Sequence, residues 1–176
     1  MEPIAEYSVT AHPDYRLVEV YDADACLVDS AAAQASQERV VAGNGYHLYL
    51  HSPQSGIPVR VTIRIWPAPR RPPEQAEGSV PVSLESETAT LIVGQLTMGP
   101  AGEMRLPRPG VYEGHAWWTG RRATAAYYEE TLERADGEDA AGQLTEAWSR
   151  CPVEERYVLD LVFAGPPVPV EEDDEW

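Results

Sequence analysis

Alternation of apolar and polar side chains is the dominant pattern of this chain. Its cleanest run is Val59–Trp66, where Val59, Val61, Ile63 and Ile65 alternate with Arg60, Thr62, Arg64 and Trp66. A period of two describes a strand with one face in a core and the other toward solvent. Upstream, Tyr46, Leu48 and Leu50 alternate with His47, Tyr49 and His51, and Ser52-Pro53-Gln54-Ser55-Gly56 between the two runs has turn composition. The pair therefore predicts an antiparallel hairpin.

Further strands are expected at Glu6–Thr10, Tyr15–Tyr21, around Cys26-Leu27-Val28, and at Val80–Glu85, Ala89–Leu96, Val111–Thr119 and Glu155–Phe163. Short strands separated by Pro and Gly predict an all-β fold, an antiparallel β-sandwich of about 7–9 strands. In the last of them Tyr157, Leu159, Leu161 and Phe163 share one face while Val158 and Val162 flank Asp160 on the other, so this strand is expected to be covered on both sides.

Two segments break the β period. Asp29 or Ser30 can cap a short helix running through Ala31–Ser36 to Arg39, with Gly43-Asn44-Gly45 beyond it. Arg121–Arg150 carries Tyr128, Leu132 and Ala135, then Ala141, Leu144 and Trp148, at helical spacing on either side of Asp136-Gly137. This predicts a helical hairpin inserted before the last strand, supported by Glu130 with Arg134 and Glu146 with Arg150. Pro67-Ala68-Pro69-Arg70-Arg71-Pro72-Pro73 reads as a stiff surface loop, with a proline-rich recognition ligand as the sharper alternative. Residues 1–165 are thus expected to form a single sandwich domain with its helical insertion at about 121–150, and residues 166–176 an acidic, proline-containing C-terminal arm.

Charge changes the picture more than any motif does. The 176 residues hold 13 basic side chains, all arginine, against 29 acidic ones, for a net charge of −16. Absence of lysine removes lysine Schiff-base chemistry and the P-loop lysine. A surplus this negative repels phosphate backbones and anionic membranes, so no direct nucleic-acid or membrane partner is expected. The surplus is uneven: residues 1–120 hold 8 basic and 14 acidic residues, and residues 121–176 hold 5 and 15. The start, Met1-Glu2-Pro3-Ile4-Ala5-Glu6, has no basic, apolar signal character, and a cytoplasmic location is expected.

Catalytic constellations are not distinguishable from surface charge. There is no Gly-x-Ser-x-Gly elbow, no calcium loop at Asp22-Ala23-Asp24, and no strand-then-helix order around Gly43-Asn44-Gly45 for a phosphate cradle. His47 and His51 on one strand face lie about 13 Å apart, too far to share a metal, and read as exposed strand histidines. Cys26 and Cys151 lack ligand spacing and read as two thiols. No metal centre, cofactor or enzymatic activity is expected.

The positive lead is an arginine-tryptophan face. Trp66 lies with Arg60 and Arg64, and of the adjacent Trp117 and Trp118 one must point away from the core, placing Trp117 outside with His115 and Glu113. The candidate binding residues are therefore Arg60, Arg64, Trp66, His115 and Trp117 on the sheet, and Glu171, Glu172, Asp173 and Asp174 in the arm. Together with the charge they predict a non-catalytic, acidic protein-interaction module, in its sharper form an inhibitor or immunity-type antagonist of a basic protein such as a nuclease or toxin. A small-molecule or carbohydrate-binding sandwich, with Trp66 or Trp117 and Tyr49 as a stacking platform, is the alternative. A structural component that self-associates through a β edge or the tryptophan faces is the further one.

Overall fold

The computed structural model describes residues 1–25 and 27–169 of the chain. The fold is mostly β, and among the described residues ten strands form two five-stranded sheets. In the first sheet the order is β1 (Ala5–Ala11), β5 (Val59–Trp66), β10 (Arg156–Gly165), β9 (Gly110–Thr119), β6 (Gly78–Ser86). The second runs β3 (Val41–Gly43), β4 (His47–His51), β2 (Leu17–Asp22), β7 (Thr90–Gly94), β8 (Pro100–Arg105).

The alternation predicts the inner faces well. Val59, Val61, Ile63 and Ile65 of β5, Tyr157, Leu159 and Leu161 of β10, and Tyr112, Ala116 and Trp118 of β9 share one core with Val18, Val20, Leu48, Leu50, Leu91 and Val93 of the other sheet. Burying these side chains is the main driving force for closing the two layers, at roughly 1.5–3 kcal/mol for each large aliphatic.

Three expectations fail on the topology. β4 and β5 do not form a hairpin: β4 pairs with β2 and β3, β5 with β1 and β10, so residues 52–58 cross from one sheet to the other. Ser52, Gln54 and Ile57 of the crossing are buried, and Gln54 satisfies its backbone. Its Oε1 accepts from the amides of Gly56 (2.8 Å) and Ile57 (2.6 Å), and its Nε2 donates to the Ile57 carbonyl at 2.8 Å. The sandwich is also not wholly antiparallel, since β10 lies parallel to β5, with Leu159 opposite Ile63 and Asp160 opposite Arg64. Finally, Leu27 and Val28 form no strand and stand 84% and 73% exposed, while Cys26 lies outside the described residues.

Three α-helices accompany the sheets. α1 (Ser30–Arg39) is capped by Asp29, whose carboxylate accepts from the Ala32 amide at 3.0 Å. α2 (Arg121–Arg134) and α3 (Ala140–Ser149) form the hairpin preceding β10. Trp148 joins them, stacking on Tyr128 with ring centroids 5.1 Å apart and donating its indole N–H to Thr131 Oγ1 at 2.9 Å. The same ring lies against Gly56 of the crossing, where an added Cβ would come within 2.5 Å of it. Gly56→Ala is therefore expected to push the hairpin off the sandwich, at about 1–3 kcal/mol of overpacking strain. A lower urea midpoint with new protease cleavage inside residues 121–150 would show it; unchanged values would mean that the ring moves aside freely.

Candidate functional site

On the outer face of the first sheet, the parallel pairing of β5 and β10 brings Arg64 beside Asp160, and β9 places Trp117 on the other flank. Asp160 accepts from Arg64 Nε at 2.8 Å and Nη2 at 3.1 Å, and from the indole N–H groups of Trp66 and Trp117 at 2.7 Å each. Four donors converge on one carboxylate. Trp66 and Trp117 are consequently only 5% and 6% exposed, which corrects the expectation that they point to solvent. Arg70, from the proline-rich loop, lies 4.1 Å above the Trp66 ring and completes the cover.

The remaining sheet candidates are dispersed. Arg60 reaches Glu154 at 3.0 Å and Ser8 at 3.3 Å on an exposed part of the face. His115, half-buried, borders a cavity of about 610 Å³ together with Glu113, Arg70, Pro69 and Val162. Glu171, Glu172, Asp173 and Asp174 lie outside the described residues.

A second polar cluster lies where the hairpin joins the sandwich. Glu155 is fully buried, accepts from Tyr157 O–H at 2.8 Å and from Gln54 Nε2 at 3.4 Å, and Arg121 donates to the His51 carbonyl at 3.2 and 3.1 Å. His51 is half-buried and His47 is 1% exposed, so neither is the exposed strand histidine expected from the sequence. Burial, with Arg121 and Arg16 nearby, lowers the His51 pKa.

These carboxylates titrate in opposite directions. Burial alone would raise the Asp160 carboxyl, but the bonds from Arg64, Trp117 and Trp66 outweigh it and hold the group below its ordinary 3.8. Burial wins at Glu155, which is raised above 4.5 despite bonds from Ser52, Tyr157 and Gln54. Asp160 thus contributes stability that is present above pH 3.8 and lost as the pH falls through its lowered value. Glu155 contributes stability that is present below pH 4.5 and lost as the pH rises through its raised value. Denaturant titrations across pH are expected to show Glu155→Gln flattening the decline above pH 4.5 and leaving the acid limb in place. A variant with the wild-type slope there would remove Glu155 as the cause.

Residues 121–150 hold seven acidic residues against four arginines, a net charge of −3. Glu129, Glu130, Glu133, Asp136, Glu138, Asp139 and Glu146 all face solvent. Glu130 pairs with Arg134 at 2.9 Å and Glu146 with Arg150 at 2.8 Å; the other five make no ion pair among the described residues. The α2–α3 surface is therefore mildly acidic, with Arg122, Arg134 and Arg150 exposed among its carboxylates. No described helix is long and apolar enough to cross a membrane.

No family model and no curated protein matches the chain. Among solved structures, the fold is similar to that of ComJ, inhibitor of the DNA degrading activity of NucA, from Bacillus subtilis. The TM-score is 0.58 at 13% identity, over 93% of this chain and 98% of that one. A structure named for crocagin biosynthetic gene J aligns with a TM-score of 0.48 at 15% identity, over 90% of this chain and 95% of that one. At 13% identity the likeness to ComJ is one of fold.

Proposed function

We propose that the chain is a non-catalytic interaction module that antagonises a basic protein, with the acidic α2–α3 hairpin as its electrostatic contact. The observation that carries this reading is the set of five exposed hairpin carboxylates without a cationic partner among the described residues. Such a surface competes for a cationic groove as a nucleic-acid backbone does, by charge rather than by base readout. The fold shared with a nuclease inhibitor supports the antagonist form. The acidic residues Glu171–Glu175 add to the same charge in sequence. Arg64, Trp66 and Trp117 then act as framework, because both indole N–H groups and two guanidinium nitrogens are taken up by Asp160.

The test is functional. Proteins of the native host captured on the immobilised chain at low salt and released at high salt are assayed for DNA degradation while purified chain is added back. Stoichiometric loss of the activity is expected. Activity unaffected by a molar excess would exclude the nuclease-antagonist form.

The cavity beside His115 and Glu113 favours a second reading, a small-molecule site of about 610 Å³. It lacks the stacking platform expected from the sequence, since the nearby indoles are buried.

A further inference from the structure

The outer face of the second sheet holds a carboxylate that the fold leaves half used. Glu19 of β2 is 6% exposed, and its Oε1 lies 3.1 Å from His47 Nε2. A carboxylate oxygen only accepts, so Nε2 carries the proton. The His47 ring is held between Tyr21 and Tyr49, at centroid distances of 4.7 and 4.6 Å, and its Nδ1 is buried without a hydrogen-bond partner. Glu19 Oε2 receives no hydrogen bond, and no arginine pairs with Glu19, among the described residues.

The surroundings keep that oxygen reachable. Gly94 stands opposite Glu19 on β7, and a Cβ there would crowd Oε2 at 2.9 Å. Glu19, Tyr21 and His47 floor a cleft of about 390 Å³ walled by Val28, Leu96 and Thr97. Its wall is partly apolar and open: Val28 is 73% exposed, and Leu96 is half-buried. A nearly buried carboxylate beside apolar walls resembles the polar anchors of interface hot spots, which surrounding contacts shield from water.

We infer that this cleft receives an arginine side chain of the partner; the inference rests on the basic-partner reading above. A guanidinium supplies the charge-assisted donors that Oε2 lacks, and it gives up hydration more readily than an ammonium when taken between apolar walls. An anion is repelled by Glu19 itself. The hairpin then steers the partner by long-range charge, and the cleft fixes its register.

The test is an amide chemical-shift titration of the full chain with acetyl-Leu-Arg-Leu-amide, and with the same peptide carrying neutral citrulline for arginine. Arginine-dependent shifts are expected at Glu19, Tyr21, His47, Gly94 and Thr97, with the citrulline peptide at least tenfold weaker. Glu19→Gln, which keeps the side-chain shape, is expected to weaken the arginine peptide at least tenfold. Val28→Arg, a change at an exposed position that tolerates it, is expected to weaken it severalfold by placing a cation at the mouth. Unchanged affinity in Glu19→Gln, equal binding of the two peptides, or no binding at all would overturn the cleft. Shifts confined to residues 121–150 would also overturn it while leaving the hairpin reading intact. Failure to capture any basic host protein would instead sink the hairpin reading without touching this result.

Discussion

Replacing Asp160 by alanine is expected to destabilise the protein by about 3–5 kcal/mol, the range for removing one partner from a buried ion pair. The loss compounds. Arg64 keeps its charge with a side chain only 22% exposed, and the indole N–H groups of Trp66 and Trp117 lose their acceptor at once. Each stranded buried donor carries roughly 1–3 kcal/mol of unrecovered desolvation. Since a domain this size is held by about 5–15 kcal/mol, such a loss consumes a large part of the margin. Arg64→Met is expected to be milder, because Asp160 retains its two indole donors and a methionine can cover the Trp66 ring. Urea unfolding followed by tryptophan emission measures both. A loss below about 1 kcal/mol for Asp160→Ala would place it with ordinary surface ion pairs and remove the framework role of the cluster.

Neutralising the hairpin is expected to have the largest effect on binding. Glu129→Gln, Glu133→Gln, Asp136→Asn, Glu138→Gln and Asp139→Asn together remove five exposed charges that make no ion pair among the described residues. Stability should change little. Association with a basic partner should slow by roughly 10–10³-fold at low salt, the span attributable to electrostatic steering, and the difference should shrink as salt screens the wild-type surface. Stopped-flow association at several ionic strengths reads this directly. If the neutralised chain associated as fast as wild type, the hairpin charge would be a solvated face and nothing more.

Much of this architecture is legible in the sequence because burial on one face writes a period of two into it. Val59–Trp66 and Val111–Thr119 show that period and become β5 and β9 with the expected inner residues. The helical segments are legible for the complementary reason, a cap at Asp29 and helical spacing after Arg121. Pairing is not, since alternation carries no information on which strand lies alongside or in which direction. The supposed hairpin over residues 46–66 and the parallel β5–β10 contact were both hidden by this. β3, three residues long, and β8, which begins Pro-Ala-Gly, are too short or too irregular to show a period.

Strand pairing also decides the burial of Trp66 and Trp117. Both lie on the outer face of the first sheet, and a side chain there is still buried when a neighbouring strand supplies an acceptor. That acceptor is Asp160, and its position between Val158 and Val162 in a strand covered on both faces is the one signal in the sequence that pointed to it. Glu19 gave no such sign. Its significance comes from Gly94 opposite and from the Leu96–Met98 turn, neither of which is near it in sequence.

The hairpin's role is tested most directly by parallel capture from the native host on wild-type chain and on the five-residue neutralised chain, at low and at high salt, with bound proteins identified by mass spectrometry. A basic protein retained by the wild type at low salt, released at high salt and missing from the neutralised chain is the expected result. Retention of the same protein by both chains, or enrichment of no basic protein by either, would contradict the proposed role of the acidic hairpin.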